Sequence, residues 1–132
     1  EKSDLAEMMS LEDAVKDADY ISMHLPYTPE TDKMVNKDLI SKMTKKPVII
    51  NTGRGKCVDE KDVAEALKNG DLSWFCTDVH STEPPVREEN PLFGCTNVTF
   101  TPHVGANSEE NLLRIGDEVI DTIAKYHSEG LV

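Results

Sequence analysis

The sequence predicts an α/β fold built around a parallel sheet that helices cover on both faces. Three segments rich in β-branched or aromatic residues, at 48–50, 72–79 and 97–100, indicate buried strands. Their apolar residues follow one another without polar alternation, which is typical of parallel strands packed on both sides. Strand and helix patterns also alternate along the chain, and this order favours the same architecture.

Two helices and one strand are predicted before residue 48. Ser10 is a candidate N-cap for a short helix with an apolar face over residues 11–15. Residues 18–24 have the composition of a strand, which Pro26 would end. Asn36 is a candidate N-cap for a second helix, whose apolar side is formed by Leu39, Ile40 and Met43.

The later part of the chain predicts two further helices and a long loop. Asp59 would start the clearest helix, and Asn69-Gly70 is a stop signal for it. Residues 81–97 contain three prolines and predict a long surface loop. The last helix begins at Asn107 or Ser108, runs for about 20 residues and has a broad apolar stripe. That stripe consists of Leu112, Ile115, Val119, Ile120 and Ile123.

Composition limits the class of partner. The chain has 132 residues, with 25 acidic and 14 basic side chains and a net charge of −11, so a nucleic-acid backbone would be repelled. No apolar run approaches the length of a bilayer span, and we expect neither a nucleic-acid nor a membrane partner. Cys57, Cys76 and Cys95 lie far apart without a CxxC pair, which predicts reduced thiols and no zinc site. Together with the lack of a signal peptide, this indicates a cytoplasmic location.

Three reactive side chains follow predicted strands or the loop after one. Arg54 lies between two glycines after the 48–50 strand, Glu83 lies in the loop after residue 79, and His103 follows the last strand. Ligand chemistry in parallel α/β sheets occurs at the carboxyl ends of strands. A guanidinium matches a carboxylate, and an imidazole donates or accepts a proton near neutral pH. Taken singly, Arg54 is also compatible with a surface arginine in a glycine turn, a lone histidine is more often a structural residue, and Glu83 is one acidic loop residue among many.

Four segments of the chain carry motifs of a known family. They are HLPYTPETDKMVN at 24–36, VIINTGRGKCVDEKDVAEAL at 48–67, TDVHSTEPP at 77–85 and NPLF…NVTFTPHVGANSEE at 90–110. In this order they resemble the D-isomer-specific 2-hydroxyacid dehydrogenases, and most closely the members similar to 3-phosphoglycerate dehydrogenase. The similarity extends over about residues 8–128.

The resemblance implies a role for each of the reactive groups. Arg54 corresponds to the arginine that holds the substrate carboxylate, and His103 to the histidine that donates and accepts the hydroxyl proton. Glu83 corresponds to the acid that pairs with this histidine, and Asp78 to the aspartate that contacts the nicotinamide carboxamide. Arg54 and His103 also border the dinucleotide. The other residues implied to line it are Pro26, Thr31, Thr52, Gly53 and Gly105.

The implied cofactor is NAD, with NADP left open, and the implied small-molecule partner is a 2-hydroxy or 2-keto acid. 3-Phosphoglycerate is one candidate. The sequence contains neither GxGxxG nor the family's substrate-binding domain. The resemblance therefore predicts a partial Rossmann-like sheet, the second half of a doubly wound dinucleotide-binding domain, followed by a long C-terminal helix. We expect such a chain to be inactive alone, and to form a homo-oligomer or to self-associate through the exposed edge of the 20–24 strand.

Two departures from the family pattern and one alternative function also follow. His80 stands where the family commonly has phenylalanine, and it either packs or perturbs the Glu83–His103 pair. Residues 74–76, Trp-Phe-Cys, replace smaller residues and predict altered core packing. The alternative is a non-catalytic nucleotide-sensing or protein-interaction module derived from the same family. The histidines lack ligand spacing, so no metal is expected.

Overall fold

The computed structural model describes residues 6–130, and the chain divides into two compact units with a boundary between Pro102 and His103. The first unit contains a sheet of four parallel strands in the order β1-β2-β3-β4. The strands are β1 (Tyr20–Met23), β2 (Val48–Asn51), β3 (Trp74–Thr77) and β4 (Val98–Phe100). The predicted parallel α/β architecture is confirmed.

Strand β3 is shorter than the predicted 72–79 segment. The Leu72 N–H donates to the carbonyl of Ala66 at 3.4 Å, and the Val79 N–H donates to Oγ1 of Thr77 at 3.2 Å. These amides therefore bond to local turns at either end instead of to a neighbouring strand. Apolar composition predicted the strand, but it did not reveal where the ladder of hydrogen bonds ends.

Helices of the first unit begin at the predicted caps. They are α1 (Leu11–Lys16), α2 (Lys37–Ile40) and α3 (Glu60–Asn69), with N-caps Ser10, Asn36 and Asp59. Gly70 ends α3 with a φ of 77°, a left-handed conformation that glycine adopts at low cost. Helix α2 is only one turn long, so Met43 lies beyond it, in a turn that still packs half-buried against the core. Its inclusion in the helix was wrong.

The core contains buried residues of the sheet and of all three helices of the first unit, and it has an unexpected member from the 81–97 segment. Ile49, Phe75 and Val63 are fully buried, and Leu92 joins them. Leu92 belongs to a short 3₁₀ turn, Pro91–Gly94, that contacts α3. The prediction of a surface loop throughout 81–97 was therefore wrong at this turn. A single buried side chain in an irregular segment has no periodicity that a sequence pattern could detect.

The second unit consists mainly of helix α4 (Glu109–Ser128), 20 residues long with Ser108 as its N-cap. The predicted length and start are confirmed. Within the described part of the chain, α4 buries none of its side chains, and Leu113 and Ile120 are each 65% exposed. None of the helices in residues 6–130 combines the length and apolarity that a membrane crossing requires.

Candidate active site

In the first unit, the segments that follow β1, β2 and β3 carry the predicted site residues of that unit, and the segment after β4 adds Thr101, which was not predicted. Because all four strands are parallel, their carboxyl ends lie at one edge of the sheet. Pro26 follows β1, Arg54 follows β2, Asp78 and Glu83 follow β3, and Thr101 follows β4. Residues separated by up to 75 positions thus converge on one edge.

Asn51, the last residue of β2, organises the turn that carries Arg54. Its side chain is 1% exposed. Asn51 Nδ2 donates to the Arg54 carbonyl at 3.1 Å, and its Oδ1 accepts the Gly53 N–H at 3.1 Å. The Arg54 side chain is exposed and donates from Nη1 to the Gly53 carbonyl at 2.8 Å. The turn thus holds the guanidinium at the surface, and the motif-based prediction did not include Asn51 among the site residues.

The two glycines beside Arg54 are required by close backbone contacts. A Cβ on Gly53 would lie 2.9 Å from the Leu25 carbonyl oxygen. A Cβ on Gly55 would lie 1.9 Å from the carbonyl carbon of His80 and 2.5 Å from the Ser81 nitrogen. The backbone of the Arg54 turn therefore packs directly against the segment after β1 and against the segment after β3.

The residues predicted to line the dinucleotide after β1 and β2 are connected by hydrogen bonds. Thr31 Oγ1 donates to the Pro26 carbonyl at 2.8 Å, which closes the 26–31 segment. Thr52 Oγ1 and His24 Nδ1 are 3.2 Å apart, and the other ring nitrogen of His24 lies 2.8 Å from Oγ of Ser22. His24 therefore bridges the ends of β1 and β2. The sequence motif contained this histidine, but its role was not predicted.

Asp78 is buried at the end of β3, with 6% exposure. Its N–H donates to the Asn51 carbonyl at 3.0 Å, and its Oδ1 accepts a hydrogen bond from Thr101 Oγ1 at 2.5 Å. Thr101 thereby fixes the orientation of the carboxylate, which can only accept hydrogen bonds when ionised. An amide donor such as a carboxamide NH2 is the complementary ligand. Only the folded chain identifies Thr101 as a residue that orients Asp78.

Glu83 is exposed and accepts the His80 N–H at Oε1, at 3.0 Å. The His80 side chain, 8% exposed, stacks on Phe100 at 5.4 Å and Phe93 at 6.1 Å between ring centroids. The imidazole therefore packs into an aromatic cluster, as one of the two interpretations of this position predicted. Its main-chain N–H also contacts Glu83 directly, so position 80 is tied to the proposed catalytic acid.

His103 and Gly105 belong to the second unit, and His103 is its first residue. His103 has a φ of 55°, in the left-handed region that non-glycine residues seldom adopt. Such conformations persist where the surrounding chain enforces them, and they cluster at functional sites. The pairing of Glu83 with His103 involves both units and stays a prediction.

The site is chemically suited to a dinucleotide. Asp78 offers an oriented acceptor, while Thr52 and the 24–26 segment present exposed polar groups at the adjacent strand ends. Loops at the carboxyl ends of parallel strands form the binding edge of nucleotide-binding α/β domains. The first unit is thus defined as part of a nucleotide-binding α/β domain.

A comparison with known families makes this assignment specific. Residues 1–105 match the family described as D-isomer specific 2-hydroxyacid dehydrogenase, NAD binding domain. The chain belongs to this family, and NAD is the cofactor that the family domain binds. The predicted resemblance is confirmed.

Comparison with individual relatives supports the same family assignment. The chain is 38% identical over 117 residues to D-3-phosphoglycerate dehydrogenase of Mycobacterium leprae, covering 89% of this chain and 22% of that protein. It is 36% identical over 120 residues to hydroxypyruvate reductase of Thermotoga maritima, covering 90% and 39%. The crystal structure of Aquifex aeolicus D-lactate dehydrogenase with NAD and lactic acid superposes with a TM-score of 0.78 at 31% identity, covering 93% and 41%. The chain therefore spans well under half the length of these proteins.

Proposed function

We propose that this chain carries the nicotinamide-binding edge and the catalytic residues of an NAD-dependent D-2-hydroxyacid dehydrogenase. The observation that carries the proposal is the contact of Gly55 with the His80–Ser81 backbone. That contact joins the turn of Arg54 to the loop of Glu83. Two side chains with complementary roles in acid recognition and proton transfer thus lie on touching loops, which the alternative of a simple interaction module does not require.

Arg54 binds the substrate. Its exposed guanidinium forms two parallel hydrogen bonds to the carboxylate of a 2-hydroxy or 2-keto acid, which fixes the C2 carbon in front of the site. The turn hydrogen bonds from Asn51 hold the arginine backbone while this happens. A lysine at position 54 would supply the charge but not the planar fork.

His103 transfers the proton of the substrate hydroxyl. It accepts the C2 hydroxyl proton during oxidation and returns it to the carbonyl oxygen during reduction. Glu83 orients the imidazole and stabilises its protonated form, because a nearby anion favours the imidazolium. The cofactor, when bound, would supply a hydride acceptor in its oxidised form, NAD⁺, and a hydride donor in its reduced form, NADH.

The remaining residues position the cofactor. Asp78, oriented by Thr101, would accept a hydrogen bond from the nicotinamide carboxamide. The backbone and hydroxyl groups of Pro26, Thr31 and Thr52, together with Gly53 and Gly105, would line the dinucleotide. The substrate class is a small D-2-hydroxy acid, and 3-phosphoglycerate and hydroxypyruvate are the compounds to assay first because relatives carry their names.

The test uses the natural full-length protein with NAD or NADP and each acid. His103→Asn should lower kcat by about 10²–10⁴-fold, since general acid–base catalysis contributes that much. Arg54→Lys should raise KM for the acid roughly 10-fold or more, because a charged hydrogen bond is lost. His127→Asn and Arg114→Lys in α4 are the matched controls. Equal turnover in His103→Asn and His127→Asn would overturn the proposed function.

We further propose that the chain associates with a second copy through β1. This strand lies at an edge of the described sheet, and Tyr20 on it is 73% exposed. An apolar groove of about 480 Å³ adjoins it, lined by residues such as Ile21, Met34 and Leu39. Tyr20→Lys places a charge on the edge and should shift sedimentation toward monomer. An unmutated chain that is a stable, monodisperse monomer at micromolar concentration would contradict this proposal.

We infer a cytoplasmic location from the cysteines. Cys57, Cys76 and Cys95 are free thiols, and disulfides are rare in the reducing cytosol. Cell fractionation with an antibody to the natural protein tests this, and recovery outside the cytosolic fraction contradicts it.

A further inference from the structure

A largely buried carboxylate lies behind the loop that carries Glu83. Glu60 is the first residue of α3, and its side chain is 13% exposed. Its Oε1 accepts the Ser81 N–H at 3.2 Å and the Asn90 side-chain amide at 3.0 Å. Its Oε2 accepts the Ser81 hydroxyl at 2.5 Å. Three donors from one loop thus converge on one carboxylate.

The two partners of Glu60 bracket the loop. Ser81 lies two residues before Glu83, and Asn90 closes the segment on the far side. Asn90 is itself buried, and its Oδ1 accepts the Leu92 N–H at 3.0 Å, which ties this end to the core. Glu60 projects from a helix whose Val63 and Ala64 are buried, so its backbone is firmly anchored. The carboxylate therefore fastens both ends of the loop to a rigid element.

The hydrogen bonds of Glu60 are linked to the Glu83 carboxylate through the backbone of His80. The His80 N–H donates to Glu83, and the next peptide unit carries the Ser81 N–H that Glu60 holds. On the other side, Gly55 leaves no room for these two residues to shift toward the Arg54 turn. Glu60 therefore holds the peptide unit next to the N–H that donates to the Glu83 carboxylate.

We propose that Glu60 is a positioning residue for Glu83, and this inference rests on the proposed dehydrogenase function. Glu60 acts by accepting hydrogen bonds, since an ionised carboxylate can satisfy all three donors. Glutamine at this position keeps the arrangement: its oxygen accepts the Ser81 N–H and the Asn90 amide, and its amide donates to a reversed Ser81 hydroxyl. Alanine removes every one of these bonds.

The first readout does not depend on activity. In the natural full-length protein, amide hydrogen exchange is followed over residues 80–90 in Glu60→Ala, in Glu60→Gln and in the control Glu65→Ala. Glu65 lies on the same helix with an exposed side chain, so its replacement makes the same change of charge. Exchange should accelerate in Glu60→Ala alone. Unchanged exchange in Glu60→Ala overturns the proposal.

The second readout separates positioning from a general loss of stability. Glu60→Ala should lower kcat by about 10- to 100-fold with KM for the dinucleotide unchanged, because a small displacement of a catalytic group is enough for such a loss. Glu60→Gln should retain most of kcat. A normal kcat in Glu60→Ala together with lost turnover in His103→Asn overturns the positioning role alone. Normal turnover in both variants overturns the proposed function as well.

Discussion

Gly55 faces the carbonyl of His80 so closely that a Cβ at position 55 would lie 1.9 Å from the carbonyl carbon and 2.0 Å from its oxygen. The backbone of the Arg54 turn thus packs directly against the backbone of the loop that carries Glu83. Gly55 does not have the left-handed backbone conformation that favours glycine. Glycine is needed here because the two backbones approach so closely that any side chain would prevent the contact.

Replacing Gly55 with alanine should separate the two loops. We expect the free energy of unfolding to fall by about 1–3 kcal/mol from overpacking. We expect kcat/KM of the natural full-length protein to fall about 100-fold, because the loops that carry the proposed catalytic residues Arg54 and Glu83 both shift. Urea denaturation and steady-state kinetics measure the two effects. Gly94→Ala is the matched control, since a Cβ there would meet nothing within 4 Å among the described residues. Similar behaviour of the two variants would show that the close contact is unimportant.

Asn51→Ala tests the support of the Arg54 turn. The Gly53 N–H would lose the Oδ1 acceptor of Asn51 in a buried position, and such a loss lowers the free energy of unfolding by about 1–3 kcal/mol. KM for the acid should rise more than kcat falls, because the guanidinium is less well held. Asn97→Ala, which removes an exposed side-chain hydrogen bond to the Ser73 carbonyl, should cost under about 1 kcal/mol. Equal losses of stability in Asn51→Ala and Asn97→Ala, with an unchanged KM for the acid in Asn51→Ala, would contradict the role of Asn51 in supporting the Arg54 turn.

Asp59 should make stability depend on pH in the acid range. A hydrogen bond from Lys33, at 2.9 Å, lowers the pKa of the Asp59 carboxyl below its ordinary value of 3.8. The unfolded chain therefore binds this proton more readily than the folded chain. The stabilisation is present above about pH 3.8 and is lost as the pH falls through the lowered folded value.

Asp59→Asn keeps an N-cap on α3 but cannot be ionised. We expect it to flatten the acid limb of the stability profile, with a loss of at most about 1 kcal/mol at neutral pH because Lys33 is 62% exposed and the pair is screened. Urea denaturation at a series of pH values from neutral to about pH 3 measures how the free energy of unfolding depends on pH. Asp71→Asn, an exposed residue, should leave the profile unchanged. An unaltered acid limb in Asp59→Asn would refute the assignment.

His80→Phe should stabilise the protein. Nδ1 of His80 is buried and has no hydrogen-bond partner among the described residues, although Oε1 of Glu60 lies 3.9 Å away. Phenylalanine keeps the stack on Phe93 and Phe100 and removes the unsatisfied nitrogen, so the free energy of unfolding should rise by about 1 kcal/mol. Thermal unfolding measures this, with exposed His127→Phe as the control. A lower melting temperature for His80→Phe than for the control would mean that the imidazole contributes as a polar group.

Local chemistry explains which features the sequence predicted correctly. Ser10, Asn36, Asp59 and Ser108 each accept backbone N–H groups within three residues, so their cap function follows from neighbours in the chain. The β-branched run at 48–50 indicated a buried parallel strand because residues of this type fill a sheet packed on both faces. Arg54, Glu83 and His103 were proposed from motifs, whose order along the chain is also a property of the sequence alone, and their roles stay predictions.

Contacts between distant residues were decided only by the tertiary structure. Glu60 meets Asn90 across 30 positions, and Thr101 meets Asp78 across 23. Neither pair has a periodic pattern, because each forms only after the strands have brought separate loops to one edge of the sheet. The burial of Leu92 and the close approach of Gly55 to His80 depend on packing in the same way. The sequence by itself determined where the helix caps and the buried strands lie, because these depend on neighbouring residues, and it predicted which side chains carry the chemistry. Only the packing of the sheet, the helices and the loops of the first unit decided which residues contact Asp78 and the loops of Arg54 and Glu83, because those contacts join distant parts of the chain.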